Sequence, residues 1–288
     1  MRWAEIQVEI TAQAQDAVAD LMMRNGCGGT VVQAEAPVTI KCYLPVDDQL
    51  EQRLLRIRNG VRDLPKFGLD IGPGEITVEY AEDRDWDEAW KQFFHTLRVG
   101  DRIVIKPTWE EYEVEPDDIL VEIDPGMAFG TGTHPTTQLC LRALEKYMKP
   151  RKTVVDFGTG SGVLAIAAAK LGASLVIAFD CDQIAVDAAR ANIRRNDLEG
   201  ITEVHRADNP AFINVQVDLV TANLVAETIV SQSEALAGLT KRGGTLIASG
   251  ITSGKSVEVE QSLRNAGFDI AETLQEDEWV AVVARKAG

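Results

Sequence analysis

Residues 153–162, T-V-V-D-F-G-T-G-S-G, constrain the fold more than any other stretch of this chain. Apolar and β-branched residues run into Asp156, glycines alternate at Gly158, Gly160 and Gly162, and residues 163–171 continue rich in Ala and Leu. The order reads as a buried strand, a tight turn and a helix start. Alternating glycines remove Cβ atoms where a ligand must touch the backbone, and they permit φ > 0. The helix start beyond them offers unpaired N–H groups to an anionic group.

The spacing narrows the ligand. A dinucleotide fingerprint needs G-x-G-x-x-G or A, and here Val163 stands at the third small position. No Walker lysine follows, which disfavours a nucleoside triphosphate. A second apolar run, residues 175–179, ends in Asp180, about 20 positions beyond the turn, where an acid suits a ribose diol. A ribose-binding acid without a pyrophosphate loop points to S-adenosylmethionine, whose anionic group is a small carboxylate. A purely structural turn in another α/β domain is the alternative at this point.

On either side of the turn the pattern divides. Residues 1–80 read βαββαβ: strands over 2–10, 30–35, 38–44 and 76–80, and helices over 16–25 and 48–64, the second with Leu50, Leu54, Leu55, Ile57 and Val61 on one face. This is the ferredoxin-like split motif, an α+β recognition or packing domain. Residues 81–110 read as a linker with a helix, on which Trp86, Ala89, Trp90 and Phe93 form an apolar stripe, followed by a strand over 103–106. From 111 to 288 helices and strands alternate as in a doubly wound, mostly parallel α/β sheet, whose ligands lie at the carboxyl ends of strands. Asp156, Asp180 and Asn223 all end strands. The loop 124–137, D-P-G-M-A-F-G-T-G-T-H-P-T-T, is rich in glycine and threonine and leads into a helix, which suits a ligand cover. His134 within it is a candidate base, or a structural histidine.

Composition excludes several classes. The 288 residues suffice for one large or two ordinary domains. A net charge of −16 disfavours non-specific nucleic-acid binding and leaves a basic partner open. Cys27, Cys42, Cys140 and Cys181 are scattered without C-x-x-C, so neither a metal site nor a disulfide framework is expected, and reduced thiols in a cytoplasmic protein are. The first ten residues alternate and carry acids, unlike a signal peptide, and no apolar run reaches membrane-spanning length.

Several motifs together resemble the ribosomal protein L-eleven methyltransferase (PrmA) family. They are D-W-D-E-A-W-K at 85–91, I-K-P-T-W at 105–109, the 124–137 loop, G-T-G-S-G-V-L-A-I-A-A-A-K-L-G at 158–172, A-N-L at 222–224, S-G-I at 249–251 and the late Trp279. The resemblance implies a Rossmann-like class I methyltransferase domain behind a smaller recognition domain. It implies methyl transfer from S-adenosylmethionine to lysine ε-amines and the α-amine of a basic ribosomal protein. Carried over by position, the cofactor contacts are Thr137, Gly158, Asp180 and Asn223, with Phe129 and Gly130 nearby; Gly160 joins them from the turn. Asn223 is the candidate for orienting the amine. A cytoplasmic monomer is expected, with no metal, no membrane and no direct nucleic-acid requirement. A methyltransferase of another protein or of a small-molecule amine, and a non-enzymatic binding module on the same fold, are the rival functions.

Overall fold

Alternation in the first strand decides which face of it is buried. Ala4, Ile6, Val8 and Ile10 of β1 (Arg2–Ile10) are all buried, as a two-residue period requires. The computed structural model describes residues 2–27, 30–33, 38–47, 50–82, 94–125 and 130–288. The chain divides into two compact units, Met1–Phe93 and Phe94–Gly288.

The first unit continues with α1 (Gln15–Arg24), β2 (Thr30–Gln33), β3 (Val38–Pro45), α2 (Leu50–Asp63) and β4 (Glu75–Glu82). Its sheet runs β2-β3-β1-β4 with every neighbouring pair antiparallel, the ferredoxin-like order. Helix α2 buries Leu50, Leu54, Ile57 and Val61. Leu55, assigned to that face from the sequence, is exposed, because at 100° per residue it falls beside the stripe. The expectation of free thiols is corrected for one pair. Cys27, just beyond α1, and Cys42, inward on β3, are disulfide-bonded with Cα atoms 6.0 Å apart, whereas Cys140 and Cys181 are free. Residues 83–93, which include Trp86 and Trp90, lie outside the described residues.

The second unit begins at Phe94, so residues 97–99 and 103–107, read from the sequence as part of the linker, are strands within it. β5 (Leu97–Val99), β6 (Ile103–Pro107) and β7 (Ile119–Ile123) form a three-stranded sheet in that order. Then follow α3 (Pro135–Tyr147), β8 (Thr153–Phe157), α4 (Val163–Lys170), β9 (Leu175–Asp180), α5 (Gln183–Arg195), β10 (Thr202–Arg206), β11 (Val217–Asn223), α6 (Ala226–Leu239), β12 (Thr240–Thr252), α7 (Ser256–Asn265), β13 (Phe268–Glu276) and β14 (Trp279–Lys286). The large sheet runs β10-β9-β8-β11-β12-β14-β13. Its first five strands are parallel, and β14 pairs antiparallel with both β12 and β13.

Burial on both faces explains the unbroken apolar strands. Val154, Val176, Ala178, Leu219 and Ile247 face one core, shared with α3, α4 and the strands β6 and β7. Val155, Phe157, Ile177, Phe179, Val220 and Leu246 face the other, shared with α6 and α7. Helix α4 is buried from Val163 to Ala169, which is why its sequence is apolar all round. Among the described residues no helix is long and apolar enough to cross a membrane.

Candidate functional site

The glycine turn joins β8 to α4, and its geometry follows from its composition. Gly158, Gly160 and Gly162 have φ of 71°, 54° and 86°, a region that disfavours any side chain. A Cβ on Gly158 would also strike the Leu224 side chain. The turn is tied to the neighbouring strand, since Gly158 N and Thr159 N both donate to Phe179 O, at 2.9 and 3.0 Å. Asp180, at the end of β9, then reaches across. Its Oδ2 accepts from Gly160 N and its Oδ1 from Asp182 N, both at 3.0 Å. An ionised carboxylate offers about four acceptor positions, so two remain after these bonds.

A second buried acid holds the turn from below. Asp156 accepts from Thr159 Oγ1 at 2.7 Å and from Thr221 Oγ1 at 2.6 Å. Burial pushes its carboxyl up to about 6, against those hydroxyl bonds, which favour the ionised form.

Asn223 ends β11 on the other side of β8. Its Nδ2 donates to Thr137 Oγ1 at 3.3 Å, joining the strand end to the first turn of α3. Leu224 N donates to Ser249 O at 2.9 Å, and a Cβ on Gly250 would collide with the Leu224 backbone. That close approach accounts for the A-N-L and S-G-I segments as one packed unit. Among the described residues Asn223 Oδ1 makes no hydrogen bond.

The loop before α3 is fastened to the turn. Ser161 Oγ donates to Gly130 O at 2.6 Å. His134 is the N-cap of α3: its Nδ1 accepts from Thr136 N at 3.3 Å and lies 2.8 Å from Thr136 Oγ1, and Pro135 takes the first helical position. The His134 ring meets Trp279 edge-on with centroids 4.9 Å apart, and burial lowers its pKa, favouring the neutral ring. The structure thus gives His134 a capping part.

Of the residues singled out from the sequence, Thr137, Gly158, Gly160, Asp180 and Asn223 stand at the carboxyl ends of three adjacent strands and the facing helix start. Gly130 is bound to the same turn. Phe129 lies outside the described residues. The sequence places Asn192 on one helical face with Ala185, Ala188 and Ala189 but gives it no part in the site. This buried side chain on α5 donates to Ser161 O at 2.9 Å and accepts from Asp124 N at 2.8 Å, so it spans the turn and the loop. Its signal was a polar residue continuing the small apolar face of Ala185 and Ala189. Among the described residues no cluster of His, Cys, Asp or Glu could hold a metal ion.

Three comparisons place this geometry. The family model described as Ribosomal protein L11 methyltransferase (PrmA) matches residues 2–287. Proteins named ribosomal protein L11 methyltransferase from Bacillus cytotoxicus and Bacillus cereus are 41% and 40% identical to it, each over 100% of both chains. The crystal structure of a ribosomal protein L11 methylase from Lactobacillus delbrueckii subsp. bulgaricus superposes with a TM-score of 0.64 at 33% identity, covering 68% of this chain and 100% of that one. Matched along nearly its whole length, with the strand-end residues gathered round a glycine turn, the chain belongs to the ribosomal protein L11 methyltransferase family.

Proposed function

We propose that the second unit binds S-adenosylmethionine over the glycine turn and that the chain methylates amines of ribosomal protein L11, on lysine side chains and at the amino terminus. The observation that carries this reading is the convergence of Gly160, Asp180, Thr137 and Asn223 at one edge of the sheet. The residues suit that cofactor. Asp180 keeps two acceptor positions for the ribose hydroxyls, and the turn brings bare backbone to the ligand. S-adenosylmethionine supplies a methyl on a sulfonium, already activated for displacement.

The remaining work is alignment and proton handling. A lysine amine has a pKa of about 10.4 and must lose its proton before it can attack. Enclosure in a desolvated site lowers that pKa. Thr137 occupies one end of the Asn223 amide, which leaves Oδ1 to accept from an amine N–H and aim its lone pair. The chain's net charge of −16 complements a basic protein substrate. A ribosomal protein substrate places the reaction in the cytoplasm. The first unit then serves recognition.

Labelled methyl transfer tests the reading, with purified L11 and free lysine offered in parallel. Label should enter L11 and not lysine. Asn223→Ala should lower the rate by about 10²-fold or more, the loss expected from poor alignment, while cofactor affinity changes less. Label in free lysine at a comparable rate would contradict the protein substrate.

A further inference from the structure

At the amino-terminal ends of the central parallel strands β8, β11 and β12, the end away from the glycine turn, lies a cavity of about 230 Å³. Lys149, Lys152, Lys241, Arg242 and Arg285 line it, and Asp218 is its single lining acid. Five cations round one carboxylate are unexpected in a chain whose net charge is −16.

Asp218 organises the cavity but does not neutralise it. Its Oδ1 accepts from Lys152 Nζ at 3.0 Å. Its Oδ2 accepts from Lys241 Nζ at 2.9 Å, from Thr153 N at 3.0 Å and from Thr153 Oγ1 at 2.9 Å. The carboxylate thus accepts four hydrogen bonds, three of them at Oδ2. Each lysine has three donors and gives one to Asp218, so both ammonium groups are held in place with donors to spare. Glu272, beyond the rim, is engaged by Lys146 and by Tyr147 Oη.

The other three cations are exposed, and Asp269 stands opposite Arg285 on the neighbouring strand without an ion pair between them among the described residues. Lys149, Arg242 and Arg285 make neither an ion pair nor a hydrogen bond among the described residues. Elsewhere in the second unit most basic side chains are engaged, as Arg98, Arg142, Arg195 and Arg264 are with carboxylates. The carboxyl-terminal ends of α3 and α6 favour nearby cations but supply only partial charge. A void with two pre-placed ammonium groups and two guanidinium groups suits a compact oxyanion that accepts several charge-assisted bonds at once.

We infer that this cavity is an anion site for a phosphate group, separate from the cofactor edge and independent of the function proposed above. The ligand class is inorganic phosphate or the phosphate of a mononucleotide.

The test is calorimetric titration of the full chain with inorganic phosphate and, in a second arm, with adenosine monophosphate, both against chloride at matched ionic strength. Saturable binding of phosphate is expected, and the second arm distinguishes a free ion from a nucleotide as the better ligand. Arg242 is exposed and its side chain makes no bond among the described residues, so Arg242→Gln leaves the fold intact. It should weaken phosphate binding about tenfold or more, the loss of one charge-assisted bond. Lys149→Gln should act in the same direction, and affinity for S-adenosylmethionine should stay unchanged in both variants. Phosphate heats no larger than those of chloride, or equal affinity in wild type and Arg242→Gln, would overturn the assignment. Loss of phosphate binding only on adding S-adenosylmethionine would overturn it too, by placing the anion at the cofactor edge.

Discussion

Asp180 and Asp156 are two acids about a turn apart in space with opposite duties. Asp180 closes the glycine turn through Gly160 N while keeping acceptor positions open. Asp180→Ala should therefore weaken S-adenosylmethionine binding by about ten- to a hundredfold, since hydrogen bonds to a charged group contribute about 1.5–3 kcal/mol. Calorimetry on a folded variant checks this, and unchanged affinity would remove the ribose assignment. Asp156 is instead buried beneath the turn, and its folded pKa of about 6 stands above the usual 3.8. The native state then binds a proton that the unfolded chain has lost between these values, so this group's contribution to stability falls as pH rises through that window. Asp156→Asn removes the titration. The stability of wild type relative to that variant should rise as pH drops from about 7 to about 4.5, through the upper part of that window. Urea unfolding of both proteins at the two pH values measures it, and a constant difference would show that Asp156 stays ionised throughout.

At the scale of elements, the strand–turn–helix at β8 and α4 was legible because every part of it is local. β-branched residues make the strand, glycines permit the turn, and alanines make a helix buried on all sides. The ends of β9 and β11 were legible for the same reason. The ties between elements were not. Asn192 looks from the sequence like an interruption of an apolar stripe, and only the fold brings Ser161 O and Asp124 N to its amide. Leu55 was misread although the helical period alone sets it off the stripe, whereas the Cys27–Cys42 pair was not legible because tertiary packing brings distant partners together. Asn192→Ala should leave the buried Ser161 O without this partner, at about 1–3 kcal/mol, and the half-buried Asp124 N as well, at a smaller cost. A lower unfolding temperature and weaker cofactor binding should appear together, because the turn and the loop lose their common anchor. A variant that loses stability but binds the cofactor as wild type does would limit Asn192 to packing.

The whole molecule comprises two units with separate cores, and all the proposed cofactor contacts lie in the second. A chain reduced to residues 94–288 should therefore keep its affinity for S-adenosylmethionine. It should lose most of its rate on L11, because binding energy remote from the amine no longer positions it. Titration and methyl transfer on the same folded sample check both halves, and a wild-type rate would make the first unit merely structural. The most direct measurement of the proposed activity offers the enzyme every ribosomal protein at once. Ribosomal proteins extracted from cells lacking this methyltransferase are incubated with the full chain and labelled S-adenosylmethionine, then separated and weighed intact. Label should concentrate in L11, with mass increments of whole methyl groups. Label spread over many ribosomal proteins, or found only in small molecules, would contradict it.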